Sequence, residues 1–110
     1  MHIDISTRGE VSVAALAGAI DGKTAPEVQD RLMPLIADNT KIVIDMSKVS
    51  FLSSAGLRIL LLLYRQASSR NGKIALAGLP DPIQDVMSMT GFLNYFKIAA
   101  SVDEAVEAVQ

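Results

Sequence analysis

The chain has no cysteine, no tryptophan and a single histidine in 110 residues. Without cysteine there can be no disulfide, no thiolate metal site and no cysteine nucleophile, a composition that fits a reducing compartment. His2 stands alone near one end, so neither a Ser–His–acid arrangement nor a His-based metal set can be assembled. Glycine-rich phosphate loops are missing as well: there is no Gly-x-Gly-x-x-Gly and no Gly-Lys-Ser/Thr. Nothing therefore suggests that the chain cradles a nucleotide or cofactor of its own. An excess of basic residues is also lacking. Ten Lys and Arg are interspersed with twelve Asp and Glu, for a net charge of −2, which argues against a nucleic-acid partner. The most apolar run, Ile59 to Tyr64 between Arg58 and Arg65, falls far short of the roughly 20 residues that cross a bilayer. The opening Met1-His2-Ile3-Asp4-Ile5 has an acid where a secretory leader needs a basic stretch followed by an apolar one. The expectation is a soluble cytoplasmic protein with no membrane partner.

What is present is an aliphatic chain of one-domain size, residues 1–110, half of it hydrophobic. Ile3 to Thr7 and Val11 to Val13 alternate apolar and polar around Arg8-Gly9-Glu10, which predicts an antiparallel hairpin. The second strand is expected to end near Ile20-Asp21-Gly22. Thr24-Ala25-Pro26-Glu27 has the form of a capping box, and Val28, Leu32, Leu35 and Ile36 continue at helical spacing to Asp38. Pro34 removes a backbone donor and should kink that helix. Ile42-Val43-Ile44 reads as a short central strand, followed by a serine-rich turn and a helix from about Ala55 to Ser69, apolar nearly all round. Asn71-Gly72 is a left-handed stop. A strand at Lys73–Gly78, a helix carrying Ile83, Val86 and Met87, a short element within Phe92–Ile98 and a final helix opened by Ser101 complete the chain. Strand–helix alternation after a hairpin predicts an α/β fold with a mixed sheet whose central strands are parallel.

The chemistry is concentrated at Ser53-Ser54-Ala55-Gly56-Leu57. Serines at a helix start meet amides that lack intrahelical partners, so one of them can cap the helix. The positive end of the helix dipole at the same place favours an added phosphate. Gly56, in the first turn, calls for close packing against a strand or close approach by a partner. Leu57 should pack inward, while Arg58 should be exposed at the interface or pair with a phosphate. Asp21-Gly22 is a turn and Thr24 a cap. Asp45 is expected to end its strand by accepting from the Ser47 or Lys48 amide.

Asp45-Met46-Ser47, Val49-Ser50-Phe51 and Ser53-Ser54-Ala55-Gly56-Leu57 resemble the signature of STAS domains, specifically the bacterial anti-sigma factor antagonists, and the resemblance extends over essentially the whole chain. It implies a single STAS domain with four or five strands and about four helices. It also implies a non-enzymatic, monomeric regulator controlled by phosphorylation at the serine two residues before the glycine, Ser54, with Ser53 the second choice. Ser53 stands where the family often carries an acid. The implied partners are an anti-sigma factor that is itself a serine kinase, which supplies ATP and magnesium, and a PP2C-type phosphatase. The implied contact surface takes in Asp21, Gly22 and Thr24 of the loop before the first helix, together with Ser53, Gly56, Leu57 and Arg58. The alternative is a non-catalytic STAS subunit of a membrane transport or sensory complex that uses the same surface without a phosphate cycle.

Overall fold

A computed structural model describes all residues, 1–110. Its elements are β1 (His2–Arg8), β2 (Val11–Ile20), α1 (Ala25–Asp38), β3 (Lys41–Leu52), α2 (Ser54–Ser69), β4 (Lys73–Ala77), α3 (Asp81–Met89), a 3₁₀ turn (Phe92–Tyr95), β5 (Lys97–Ala99) and α4 (Val102–Ala108). The strands form one sheet in the order β1-β2-β3-β4-β5. β1 is antiparallel to β2, and the other neighbours are parallel. The expected mixed α/β sheet is what forms.

Each parallel pair is joined through a helix, and both faces of the sheet are covered, as a parallel sheet requires. The larger core lies on one face. There Val28, Leu32 and Ile36 of α1, Leu57, Leu60 and Leu63 of α2, and Ile83 and Met87 of α3 pack on Ile3, Leu16, Ile42, Ile44 and Leu76. On the other face the short α4 sets Ala105 and Val109 against Val11, Val13, Val43, Ala75 and Ala77. Small residues on that face let a two-turn helix lie close to the strands.

Three expectations about the elements are corrected. The capping box at Thr24 does not form: Thr24 makes no side-chain bond to the start of α1. Its hydroxyl instead donates to the Ala19 carbonyl at 2.7 Å and accepts from the Asp21 amide at 2.9 Å, pinning the loop to the end of β2. β3 is the second correction. It runs for twelve residues, far beyond Ile44, and Asp45 lies inside it although Asp45 Oδ1 does accept from the Ser47 amide at 3.0 Å. Helix α2, expected to be apolar nearly all round, is amphipathic: Gly56, Leu57, Leu60, Leu63 and Ala67 are buried, while Arg58 and Leu62 are exposed. The Asn71 stop forms as expected. Asn71 has φ +58°, its amide bonds Ser68 and the Gly72 amide bonds Ala67, the paired bonds that close a helix through a left-handed residue.

Candidate functional site: the mouth of helix α2

β2 and β3 run in parallel and end together, with Ile20 opposite Leu52. The next residue of β3's chain, Ser53, donates its amide to the Ile20 carbonyl at 3.0 Å. That bond sets the start of α2 directly beside Asp21 and its loop, so residues thirty positions apart in sequence form one rim.

Gly56 makes this approach possible. A Cβ there would stand 2.6 Å from the Ile20 carbonyl oxygen and 2.7 Å from Leu52 Cδ1, closer than carbon tolerates. Of the two roles open to Gly56, the structure selects packing. It is buried, as is Leu57 at 6% exposure, so neither offers a surface to a partner. Both are corrected as contact residues, because the first turn of α2 is wedged onto β2 and β3 through them.

The two serines divide the work. Ser53 is the N-cap, with φ −86° and ψ 175°, and its Oγ accepts from the Gly56 amide at 3.2 Å. Its carbonyl receives the Leu57 amide at 2.9 Å. Ser54, the first helical residue, is exposed, and its hydroxyl makes no hydrogen bond within the protein. The stabilising role of a cap thus belongs to Ser53, and the hydroxyl of Ser54 is left open to solvent. The amides of Ser54 and Ala55 have no intrahelical carbonyl to reach, since the residues four positions back lie outside the helix.

Electrostatics at the mouth favour an anion. The first turn of α2 carries no acidic residue, so the positive end of the helix is uncompensated. Arg58 follows Ser54 by four residues, which puts the two on one face of the helix. It is exposed and takes part in no ion pair. Across the rim, Asp21 Oδ1 accepts from the Lys23 amide at 2.9 Å and the Thr24 amide at 3.1 Å. These bonds, that from Thr24 first, hold the Asp21 carboxyl below its ordinary value of 3.8. Asp21 and Thr24 therefore shape the loop from within, while Gly22 and Lys23 lie exposed on its crest.

Phe51 is the residue that sequence reasoning missed as a surface element. It lies at the end of β3, two positions before Ser53, and is 55% exposed. No two-residue alternation marks it out: the buried positions around it, Val49 and Leu52, are three residues apart. A phenyl ring more than half exposed is unusual for a surface that only meets water.

A five-stranded mixed sheet with a serine-capped helix at the shared end of its central strands is the architecture of a STAS domain. Residues 2–105 match the STAS domain family, and the chain belongs to it. Among its relatives, the anti-sigma-B factor antagonist of Bacillus subtilis is 22% identical over 107 residues, covering 97% of this chain and 98% of that protein. The crystal structure of an anti-sigma factor antagonist from Mycobacterium paratuberculosis is 30% identical, with a TM-score of 0.89 over 98% of this chain and 92% of that one. The anti-sigma factor antagonist SpoIIAA in its unphosphorylated form superposes with a TM-score of 0.82 at 20% identity, covering 98% of this chain and 96% of its own. A structure of SpoIIAA from Bacillus in the phosphorylated form has the same fold, with a TM-score of 0.76. No helix is long and apolar enough to cross a membrane, and no group of acidic or histidine side chains could hold a metal ion.

Proposed function

We propose that this chain is an anti-sigma factor antagonist whose docking surface is switched by phosphorylation of Ser54. In the unmodified state the rim formed by the Asp21–Thr24 loop, Phe51, Ser53, Ser54 and Arg58 binds an anti-sigma factor and so frees a sigma factor. The anti-sigma factor is also a serine kinase. With its own ATP and magnesium it transfers phosphate to Ser54 and the complex separates; a PP2C-type phosphatase restores the binding form. The chain itself is a binding partner and a substrate, not a catalyst.

One observation carries this proposal: the capping bond is made by Ser53, which leaves the Ser54 hydroxyl exposed and unbonded at the positive end of α2. The names of the relatives support the same role. A phosphate adds about −1.5 to −2 charges and three acceptor oxygens. Arg58 and the free amides at the helix mouth can receive it within this molecule, so the fold survives modification. A partner seated over Phe51 must instead desolvate that charge. A penalty of about 2.7 kcal/mol weakens binding roughly a hundredfold.

The test is incubation with the cognate anti-sigma kinase, ATP and magnesium, followed by mapping of phosphoserine. Phosphate is expected on Ser54, absent in Ser54→Ala, and Ser54→Asp should fail to hold the kinase. Phosphate on Ser53 in place of Ser54 would overturn the assignment.

A further inference from the structure

The two edges of the sheet are not equivalent. β5 closes one side with three residues. β1 borders the other with seven, His2–Arg8, paired only with β2 and in an unbroken register. A strand open on one side presents a row of amides and carbonyls that another backbone can continue. Three usual deterrents are missing from β1, which has no proline, no bulge and no charge pointing into the core; the charges it does carry, Asp4 and Arg8, are exposed and of opposite sign.

β1 is complementary to itself. Antiparallel pairing about Ser6 sets Ser6 against Ser6, Ile5 against Thr7, and Asp4 against Arg8 on both sides of the axis. Alternation keeps Asp4, Ser6 and Arg8 on one face and Ile5 with Thr7 on the other, so every pair matches in face as well as charge. Moving the axis to Ile5 pairs Asp4 with Ser6 and His2 with Arg8, which yields no opposite charges. Moving it to Thr7 sets Asp4 against Glu10. Only the Ser6 axis satisfies both carboxylates and both guanidinium groups. Arg8 now meets Asp103 of α4, but both side chains are largely open, 48% and 80% exposed, and such pairs contribute at most about 1 kcal/mol. Its fork retains further donors for Asp4 of a second copy.

We infer that the chain forms a two-fold homodimer through β1, joining two sheets into one of ten strands with Ser6 on the axis. This departs from the monomer implied by the family resemblance and does not depend on the proposed phosphate switch. An antiparallel seam reverses the strand direction of the second copy. The two α2 mouths then open at opposite ends of the joined sheet, and neither Ser54 is covered.

Sedimentation equilibrium of the full chain over about a hundredfold range of concentration tests this, because self-association follows mass action. A concentration-dependent dimer is expected. Asp4→Arg and Arg8→Asp alone should each weaken it about tenfold or more, since each sets like charges together twice. An equimolar mixture of those two variants should recover wild-type affinity as a heterodimer, and the double variant Asp4→Arg/Arg8→Asp should recover it as a homodimer. Ser6→Cys introduces the chain's only thiol and should cross-link to itself on mild oxidation, whereas the exposed control Ser69→Cys should not. Urea midpoints matching wild type at a concentration low enough for all forms to be monomeric would show that each variant folds. A monomer at every concentration would overturn the inference. So would a dimer indifferent to these charges, or β1 amides protected from exchange only after another protein is added.

Discussion

Ser53 and Ser54 are adjacent and chemically identical, yet the backbone gives them different work. Ser53 has extended dihedrals and points its oxygen at the Gly56 amide; Ser54 is already helical and points outward. Ser53→Ala should cost about 1 kcal/mol of stability through loss of the cap. Ser54→Ala should stay within about 0.5 kcal/mol of wild type, as exposed substitutions do. Urea unfolding of both variants checks this pair, and a larger loss at Ser54 would reassign the cap. Gly56→Ala should destabilise by about 1–3 kcal/mol, because the added carbon meets a backbone carbonyl that cannot step aside. That loss outweighs the gain in helix propensity at a first-turn position. A more stable Gly56→Ala protein would show that α2 is not wedged onto β2. At Asp21 the lowered carboxyl fixes a pH dependence. Its contribution to stability is fully present above the ordinary value of 3.8 and is lost as pH falls through the lower folded-state value. The Thr24 amide resonance, followed by NMR, should therefore titrate with a midpoint below 3.8; a midpoint above it would mean that the loop bonds are not made.

At the scale of elements, the sequence was legible where one local rule acted alone. The hairpin, the helix starting near Ala25, the Asn71-Gly72 stop and the serine-opened helix were all readable from spacing and turn chemistry. Asn71→Ala should lower stability by about 1–2 kcal/mol in the same urea assay, because φ of +58° suits asparagine and glycine better than alanine. No change would mean that the stop does not depend on that conformation. β3 was legible only in its first third, and the reason is geometric. Between Ala15 and Ala17 of β2 the chain of β3 advances from Asp45 to Lys48, and between Gly18 and Ala19 it advances from Val49 to Phe51. Each step inserts one extra residue, a bulge in β3. The buried positions Met46, Val49 and Leu52 therefore recur every third residue, and the two-residue signal of a strand is erased. The same bulges turn Phe51 out to solvent, which is why its exposure was not foreseen. Thr24 failed as a cap for a comparable reason: the Ala19 carbonyl, at the end of β2, offered its hydroxyl a partner that no local pattern reveals.

At the scale of the whole molecule, the proposed phosphorylation site lies where little structure depends on it. The cores on the two faces of the sheet are mostly aliphatic, with Phe96 the one buried aromatic, and Ser54 contributes to neither. Phosphorylation should thus leave the far-ultraviolet circular dichroism spectrum unchanged while altering what the rim can bind. The family and its motif were readable in the chain. The division of labour between the serines was not, because it is decided by the dihedrals of one residue and by the Ile20 carbonyl that fixes them. The most direct measurement is calorimetric titration of the proposed partner, an anti-sigma factor with kinase activity, with unmodified protein and with protein fully phosphorylated at Ser54. A loss of affinity of about a hundredfold or more, with unchanged secondary structure, is the result expected of a switch at the helix mouth. Equal affinity of the two forms would contradict it.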